Sequence, residues 1–295
     1  MSTEPSTLAF DDVWRYAPAP ENTDHVTIDE SYGLFIGGDF IPPADGLYFD
    51  TINPATEERL ARVALAAQPD VDRAVKSARR AFAGPWSKMK AAERGKYIYR
   101  IARILQERAR EFAVIESMDG GKPIRESRDI DIPLAAAHFF YHAGWADKLD
   151  YAFPGRRAMP LGVAGQVSPW NFPLLMAAWK IAPALACGNT VVLKPAETTP
   201  LTALKLAEVI RDADLPPGVV NVVTGAGKTG AAVVGHAGVD KVAFTGSTEV
   251  GRDIQRSLAG TGKRYTLELG GKAANIVVAD AAIDQAVEGI VNGIF

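Results

Sequence analysis

Between residues 162 and 269 the chain alternates repeatedly between short apolar runs and longer helical patterns, and this alternation constrains the fold more than any other feature. The runs that predict strands are 163–167, 190–193, 219–223, 242–244 and 265–269, and the segments that predict helices are 174–186, 201–212, 229–236 and 248–258. Strands that alternate with helices pair in parallel through right-handed crossovers. The sequence therefore predicts an α/β fold with a doubly wound, Rossmann-like parallel sheet.

The part of the chain before this alternation differs in character. Residues 1–32 are polar and proline-bearing, which indicates an extended N-terminal arm. In residues 33–43 apolar residues alternate with others on both sides of Gly37 and Gly38, which predicts a hairpin. Helical spacing follows over 70–82, 91–118 and 133–148.

Composition excludes several classes of partner. The formal net charge is -3, from 32 basic and 35 acidic residues, so neither nucleic acid nor an anionic membrane surface is an expected partner. The first 25 residues lack the cationic and apolar regions of a secretory signal. The most apolar stretch, 174–192, is interrupted by charged, proline and glycine residues. We expect a cytoplasmic protein with a small-molecule ligand.

Cysteine and histidine usage gives no metal or disulfide site. Cys187 is the single cysteine, and its apolar neighbours predict a small buried side chain in the sheet core, with a nucleophile as the less favoured interpretation. His138 and His142 are four residues apart on a predicted helix. They lack a third ligand in sequence, and their aromatic neighbours favour packing, so no metal is predicted.

Ligands of doubly wound sheets bind beyond the carboxyl ends of the strands, so the residues after each strand are the candidates. The segment SPWNFPL, 168–174, follows the first strand. Asn171 could donate to a developing oxyanion, or it could be a helix cap. Phe172, Met176 and Trp179 share one helix face, which fits a pocket for an apolar substrate tail or ordinary core packing.

Lys194 and Glu197 follow the second strand. A carboxylate at this place accepts hydrogen bonds from ribose hydroxyls and repels a 2′-phosphate, so Glu197 favours NAD over NADP. The alternative is that Lys194 and Glu197 form an ordinary surface ion pair. The glycine-rich run GAGKTG, 225–230, follows the third strand. The run does not fit a phosphate loop of the NTPase kind, because Val222 occupies the position of that loop's first glycine. It does not fit a dinucleotide-binding fingerprint well either, because that motif follows the first strand of the sheet and this run follows the third.

The last two strands also end in candidate residues. Gly246 permits close backbone approach, and Ser247 either donates to a pyrophosphate or caps the next helix. Glu268 lies between two leucines, where apolar surroundings would raise its pKa and suit a general base; a salt-bridged structural glutamate is the alternative.

Taken together, SPWNFPL, LKPAE, FTGSTEVG and LELGGK occur in an order and spacing that resembles the aldehyde dehydrogenase superfamily. The resemblance extends from about residue 33 to 295, and includes INPATEE at 52–58 and GNTVVLKP at 188–195. It implies NAD-dependent oxidation of an aldehyde to a carboxylic acid. In that family a cysteine thiolate attacks the aldehyde, and the resemblance implies that Asn171 holds the oxyanion and that Glu268 activates the water that hydrolyses the thioester.

The resemblance also implies the roles of other residues and the domain plan. Residues expected to bind the cofactor NAD are Ser168, Pro169, Trp170, Lys194, Glu197, Gly227, Thr245, Gly246, Ser247 and Leu269. Phe172, Met176 and Trp179 match the wall of the substrate tunnel. Residues 33–148 and 160–269 are expected to form the NAD-binding domain, 149–159 the start of an oligomerisation hairpin, and 270–295 the beginning of a catalytic domain. A homodimer or homotetramer is expected.

The expected nucleophile is missing from these residues. The resemblance implies a catalytic cysteine a few positions beyond Phe295, and the apolar stripe of the last helix, 283–294, has neither a partner nor a capping glycine after it. We therefore expect a fragment of a dehydrogenase that is inactive by itself. The alternative is a nucleotide- or partner-binding protein without catalytic activity.

Overall fold

The computed structural model describes residues 21–156 and 158–294, and the first 20 residues of the predicted N-terminal arm lie outside this range. In chain order the elements are β1 Ser31–Tyr32, β2 Leu34–Ile36, β3 Asp39–Ile41, β4 Tyr48–Ile52, β5 Arg59–Ala64, α1 Gln68–Ala81, α2 Ala91–Glu107, α3 Ala109–Gly120, α4 Ile124–Glu126, α5 Ile132–Trp145, α6 Leu149–Ala152, β6 Val163–Val167, α7 Pro173–Ala186, β7 Thr190–Lys194, α8 Leu201–Asp212, β8 Val220–Val222, α9 Gly227–Gly235, β9 Lys241–Gly246, α10 Thr248–Leu258, β10 Arg264–Leu269 and α11 Ile283–Ile294. Single π-helical turns at Phe82–Trp86 and Ser127–Asp131 adjoin α1 and α5.

A seven-stranded sheet forms the centre of the molecule, in the order β10-β9-β6-β7-β8-β2-β3. β6 to β10 pair in parallel, and the β2–β3 hairpin adds antiparallel to β8. The chain reverses its direction of winding at β6, which lies between β9 and β7. The predicted doubly wound parallel sheet is confirmed, and the switch point of the winding lies beside β6.

Helices cover both faces of this sheet. α2, α3, α5, α7 and α8 pack together on one face, where Phe112, Phe139 and Ile181 are fully buried. α1, α9 and α10 pack on the other face over a second apolar cluster that includes Val163, Val192 and Val242. Because both faces are covered, the central strands are continuous apolar runs, which is why the sequence reveals them.

Some elements differ from the sequence-based predictions. The helix predicted over 91–118 is two helices, since Arg108 leaves helical geometry at φ −96° and ψ 13°. The Arg108 guanidinium bonds Glu111 at 2.8 Å and Glu208 at 2.7 Å, which ties the break to α8. A three-stranded sheet, β1-β5-β4, was not predicted. Within 149–156 and 158–159, where a hairpin was expected, the chain forms α6 and no strand.

The apolar stripe predicted on the last helix is confirmed as exposed. Ile283, Val287 and Val291 of α11 are each about half exposed or more. In the described part of the chain, no helix combines the length and apolar character that crossing a membrane requires.

Candidate functional site

A cavity of about 1030 Å³, which we call the first cavity, lies at the carboxyl ends of the parallel strands. It is lined by residues that follow β6, β7, β9 and β10 and by one side each of α9 and α10. Every predicted cofactor residue lines it: Ser168, Pro169, Trp170, Lys194, Glu197, Gly227, Thr245, Gly246, Ser247 and Leu269. Asn171 and Glu268 also line it.

Asn171 lies in the loop between β6 and α7 and is exposed. The N-cap of α7 is Phe172, so the alternative that Asn171 caps this helix is wrong. Ser168 lies in the same loop, and its buried hydroxyl has no hydrogen-bond partner among the described residues. An unpartnered buried hydroxyl at a cavity wall is costly unless a ligand or water completes it.

Lys194 and Glu197 form an ion pair of 2.9 Å at the end of β7. The lysine side chain is 5% exposed and the glutamate side chain 48%, so the carboxylate is the accessible partner. Burial raises the pKa of Glu197, but the hydrogen bond and charge of Lys194 outweigh it and leave the pKa below its ordinary value. The carboxylate is therefore ionised at neutral pH and faces the cavity as an acceptor.

The loop after β9 brings a helix N-terminus to the cavity. Ser247 is the N-cap of α10, and its hydroxyl accepts from the amide of Val250 at 3.3 Å. The residue thus caps the helix and lines the cavity at once, so the two interpretations are compatible. A Cβ on Gly246 would lie 2.6 Å from the Phe244 ring, which explains glycine at that position.

The glycine-rich run after β8 does not form a phosphate loop of the NTPase kind. The Thr229 hydroxyl, which such a loop directs to a metal ion, is buried and donates to the carbonyl of Ala66 at 2.7 Å. Gly227 is the first residue of α9, and a Cβ there would meet open space. Because Gly227 has no side chain, it leaves open space at the wall of the first cavity.

A second cavity of about 720 Å³ adjoins the first, and the two share Phe244, Thr245 and Glu268. Met176 and Trp179 line this second cavity together with His138 and Cys187. Phe172, the third residue of the predicted tunnel wall, lies outside this lining, with its ring 3.6 Å beneath the Lys122 ammonium. Its tunnel role stays a prediction.

Glu268 lies at the junction of the two cavities, on the edge strand β10 in register with Thr245 of β9. It is exposed in the described structure, which differs from the apolar surroundings that its leucine neighbours suggested, because β10 is an edge strand on which all residues except the half-buried Leu267 are exposed. No salt bridge joins Glu268 to another described residue within 4 Å, so the structural ion pair has no support there.

Lys180 completes this junction and was missed as a site residue. Its ammonium donates to the Thr245 hydroxyl at 2.5 Å. Burial lowers the Lys180 pKa to about 8, although the charge of Glu268 acts in the opposite direction. The signal in the sequence was a lone lysine within the apolar α7.

The prediction that Cys187 lies in the sheet core is wrong. It is the C-cap residue of α7, is partly buried, and lines the second cavity. Burial raises the pKa of the thiol against the charge of Arg94, which disfavours the reactive thiolate.

The two histidines on α5 bind neighbouring protein groups. His138 accepts from the Trp179 indole, and His142 Nδ1 lies 2.8 Å from the His138 carbonyl oxygen. Among residues 21–156 and 158–294, no group of three histidine, cysteine or carboxylate side chains is placed to hold a metal ion.

Sequence comparison relates the chain to a known protein family. The model of the aldehyde dehydrogenase family matches residues 40–295. An aldehyde dehydrogenase of Alternaria alternata is 48% identical over 277 residues, which cover 90% of this chain and 56% of that protein. Human retinal dehydrogenase 2 is 47% identical over 275 residues, covering 89% of this chain and 53% of that protein.

Solved structures agree with the sequence relatives. The NAD+ complex of an aldehyde dehydrogenase from Bacillus cereus superposes with a TM-score of 0.87 at 45% identity, covering 90% of this chain and 56% of that one. The chain thus spans about half the length of the curated relatives it matches. On the family match, the identities and the shared fold, the chain belongs to the aldehyde dehydrogenase family.

Proposed function

We propose that this chain is the cofactor-binding part of an enzyme that oxidises an aldehyde to a carboxylic acid with NAD. One observation carries the proposal: every residue that the sequence selects for the cofactor lines a single cavity, and Glu268 joins that cavity to a second one. Relatives named as aldehyde dehydrogenases support the reaction class.

The residues of the first cavity fit a dinucleotide. The apolar side chains of Val234 on α9 and of Val250 and Ile254 on α10 line the cavity and suit contact with an adenine ring. Lys194 and Glu197 present a donor and an acceptor suited to ribose hydroxyls, and Glu197 disfavours a 2′-phosphate. The N-terminus of α10 offers backbone donors for a pyrophosphate.

The chemistry divides between the two ends of this site. When bound, NAD supplies the acceptor for the hydride that leaves the substrate. Asn171 donates to the oxyanion that forms when a thiolate adds to the aldehyde carbonyl. Glu268 accepts a proton from the water that attacks the resulting thioester, and Lys180 holds positive charge beside that carboxylate.

The nucleophile of this proposal is a cysteine outside the 295 residues. Cys187 lines the second cavity, but burial raises the pKa of its thiol, and the residue ends α7 as its C-cap. Met176 and Trp179 would contact the substrate, and their bulk suits an apolar or aromatic tail.

Further parts of the proposal concern organisation. The division into an NAD-binding domain of 33–148 and 160–269 is supported by the central sheet, which joins β2 and β3 to β6–β10. Tyr151, Phe153 and Met159 are more than half exposed, which supports burial in a dimer or tetramer. A cytoplasmic location and a beginning of the catalytic domain at 270–295 remain predictions from sequence.

The test uses the full-length protein, a panel of aliphatic and aromatic aldehydes, and either NAD or NADP. We expect reduced cofactor to accumulate with aldehyde and NAD, and carboxylic acid to form in equal amount. Reactions without aldehyde are the control. Binding of NAD without oxidation of any aldehyde would favour the alternative of a nucleotide-binding protein without catalysis.

A further inference from the structure

The C-terminal part of α3 carries two carboxylates that no part of the proposed chemistry uses. Glu116 and Asp119 are one helical turn apart and share a face of α3. They are 1% and 3% exposed, which is unusual for acidic side chains. A buried carboxylate persists when it accepts hydrogen bonds that the fold otherwise lacks, so the partners of these two groups are informative.

Glu116 binds the start of α7. Its Oε2 accepts from the backbone N–H of Leu174 at 3.1 Å. The N-cap residue Phe172 has no side-chain acceptor, and Pro173 has no N–H, so Leu174 presents the first donor of this helix. The cap is therefore supplied from 58 residues away, directly after the loop that carries Asn171.

Asp119 binds the start of α8 in the same manner. Its Oδ2 accepts from the backbone N–H of Leu201 at 2.9 Å, and its Oδ1 accepts from the Thr51 hydroxyl at 2.6 Å. The N-cap residue Pro200 again offers no side-chain acceptor. The loop that ends at this helix carries Glu197, the proposed ribose ligand.

Lys122 adds a third attachment just beyond α3. Its ammonium lies 3.6 Å from the centre of the Phe172 ring and pairs with the buried carboxylate of Asp131. Phe172 is the immediate neighbour of Asn171. Two contacts from the 116–122 segment thus fix the Asn171 loop, and one fixes the Glu197 loop.

Burial of the ionised Glu116 and Asp119 carboxylates costs folding free energy. Burial raises the pKa of Glu116 and of Asp119 to about 7 in each case, while the hydrogen bonds from Leu174 and from Thr51 and Leu201 oppose that rise. Helix N-termini stabilise negative charge, which offsets part of the cost. Local capping by serine or aspartate at positions 172 and 200 would satisfy the same donors without burying a distant carboxylate.

We propose that Glu116 and Asp119 are positioning residues that fix the Asn171 loop relative to the Glu197 loop, because α3 holds the first donor of each following helix. The inference rests on the proposed function and deepens it. One rigid segment sets the separation between the reacting end and the ribose end of the dinucleotide site. Glu116 positions the reacting end of the site, and Asp119 positions the ribose end.

The test compares Glu116→Ala and Asp119→Ala in the full-length protein. Asp119→Ala is expected to raise the KM for NAD on the order of tenfold with kcat nearly unchanged, the size expected for loss of one charged hydrogen bond. Glu116→Ala is expected to lower kcat on the order of tenfold with a smaller change in the KM for NAD. Glu116→Gln and Asp119→Asn should restore wild-type values, because an amide oxygen accepts the same N–H.

Asp240→Ala is the matched control. Asp240 also accepts a backbone N–H, from Val163 at 2.7 Å, but at the opposite end of β6 from the cavity. Its loss should lower the melting temperature and leave both kinetic parameters unchanged. The proposal is overturned if Glu116→Ala and Asp119→Ala behave like this control, or if both change the same kinetic parameter.

Two milder variants keep the test decisive if the alanine variants do not fold. Thr51→Val removes one partner of Asp119 and should raise the KM for NAD. Lys122→Met combined with Asp131→Asn removes the cation over Phe172 without leaving a buried carboxylate unpaired, and should lower kcat. Unchanged kinetics in both would contradict the proposal. A wild-type protein that neither binds NAD nor oxidises aldehydes would instead refute the proposed function itself.

Discussion

The ammonium of Lys180 donates to the Thr245 hydroxyl at 2.5 Å. Thr245 stands in register with Glu268 on the neighbouring strand, and both residues border the two cavities. A helix on one face of the sheet therefore delivers a cation to the junction where the proposed general base lies. Burial lowers the pKa of Lys180 to about 8, so its charge depends on pH just above neutrality.

Lys180→Met should stabilise the fold at pH 7 and lose this advantage as the pH rises. Burial lowers the pKa of Lys180 from 10.5 to about 8, so between these values the unfolded chain holds a proton that the folded chain lacks. Wild-type stability from this group therefore increases with pH through that window. Melting temperatures measured from pH 7 to 10.5 check the prediction.

The control for this experiment is Lys88→Met, since Lys88 is exposed. Its melting temperature should track that of the wild type at every pH. A Lys180→Met variant that is less stable than the wild type at pH 7 would contradict the cost assigned to the buried ammonium.

Glu268→Gln should slow thioester hydrolysis more than hydride transfer in the full-length protein. Loss of a general base costs on the order of 10²- to 10⁴-fold in the step that it assists. We expect a rapid burst of reduced cofactor followed by slow turnover, measured by stopped-flow absorbance. Glu249→Gln, on the first turn of α10 and outside both cavity linings, is the control. A lost burst with intact cofactor binding would rule out this role.

Glu197→Gln should narrow the preference for NAD over NADP. The ionised carboxylate repels a 2′-phosphate, and the amide removes that repulsion while it still bonds a ribose hydroxyl. Kinetic titration of both cofactors against the wild type and the variant measures the change. Glu58→Gln, at an exposed residue directly before β5 and outside both cavity linings, should leave the ratio of NAD to NADP preference unchanged. Equal affinity of the wild type for both cofactors would refute the assignment.

The buried carboxylates Glu116 and Asp119 should make stability rise as the pH falls. Their pKa values are raised to about 7 from 4.5 and 3.8, so below pH 7 the folded chain holds protons that the unfolded chain lacks. Stability from these groups is lost as the pH increases toward 7 and stays low above it. The double variant with Glu116→Gln and Asp119→Asn should melt above the wild type at pH 8 and approach it at pH 5.

The parallel strands and the residues after them were predictable because they obey local rules. Strands buried on both faces form uninterrupted apolar runs, and ligand-binding residues follow them at the carboxyl ends. Ser168, Glu197 and Ser247 were selected in this way, and the structure brings them to one cavity.

Other features depend on contacts between distant segments and leave no local pattern. In the sequence Glu116 and Asp119 are ordinary acidic residues of a predicted helix, and only the fold shows that they meet the starts of α7 and α8. At the break between α2 and α3, the Arg108 guanidinium pairs with Glu208, 100 residues later. The exposure of Glu268 follows from the edge position of β10, which the apolar neighbours in sequence do not reveal.

Cys187→Ala should leave both the burst and the steady-state rate of the full-length protein unchanged. A nucleophilic thiol needs a lowered pKa and a partner that removes its proton, whereas burial raises the pKa of Cys187 and only Arg94 opposes that rise. Arg94 itself donates to the Met89 carbonyl at 2.9 Å, so it is committed to the backbone.

The position of Cys187 in the second cavity makes this the sharpest test of the proposed nucleophile. Trapping with an excess of aldehyde, followed by mass spectrometry of the proteolysed protein, identifies the acylated residue. An acyl group on a cysteine beyond residue 295, with normal turnover in Cys187→Ala, supports the proposal. An acyl group on Cys187, together with loss of turnover in the variant, would make this residue the nucleophile, because no other thiol of these 295 residues is available.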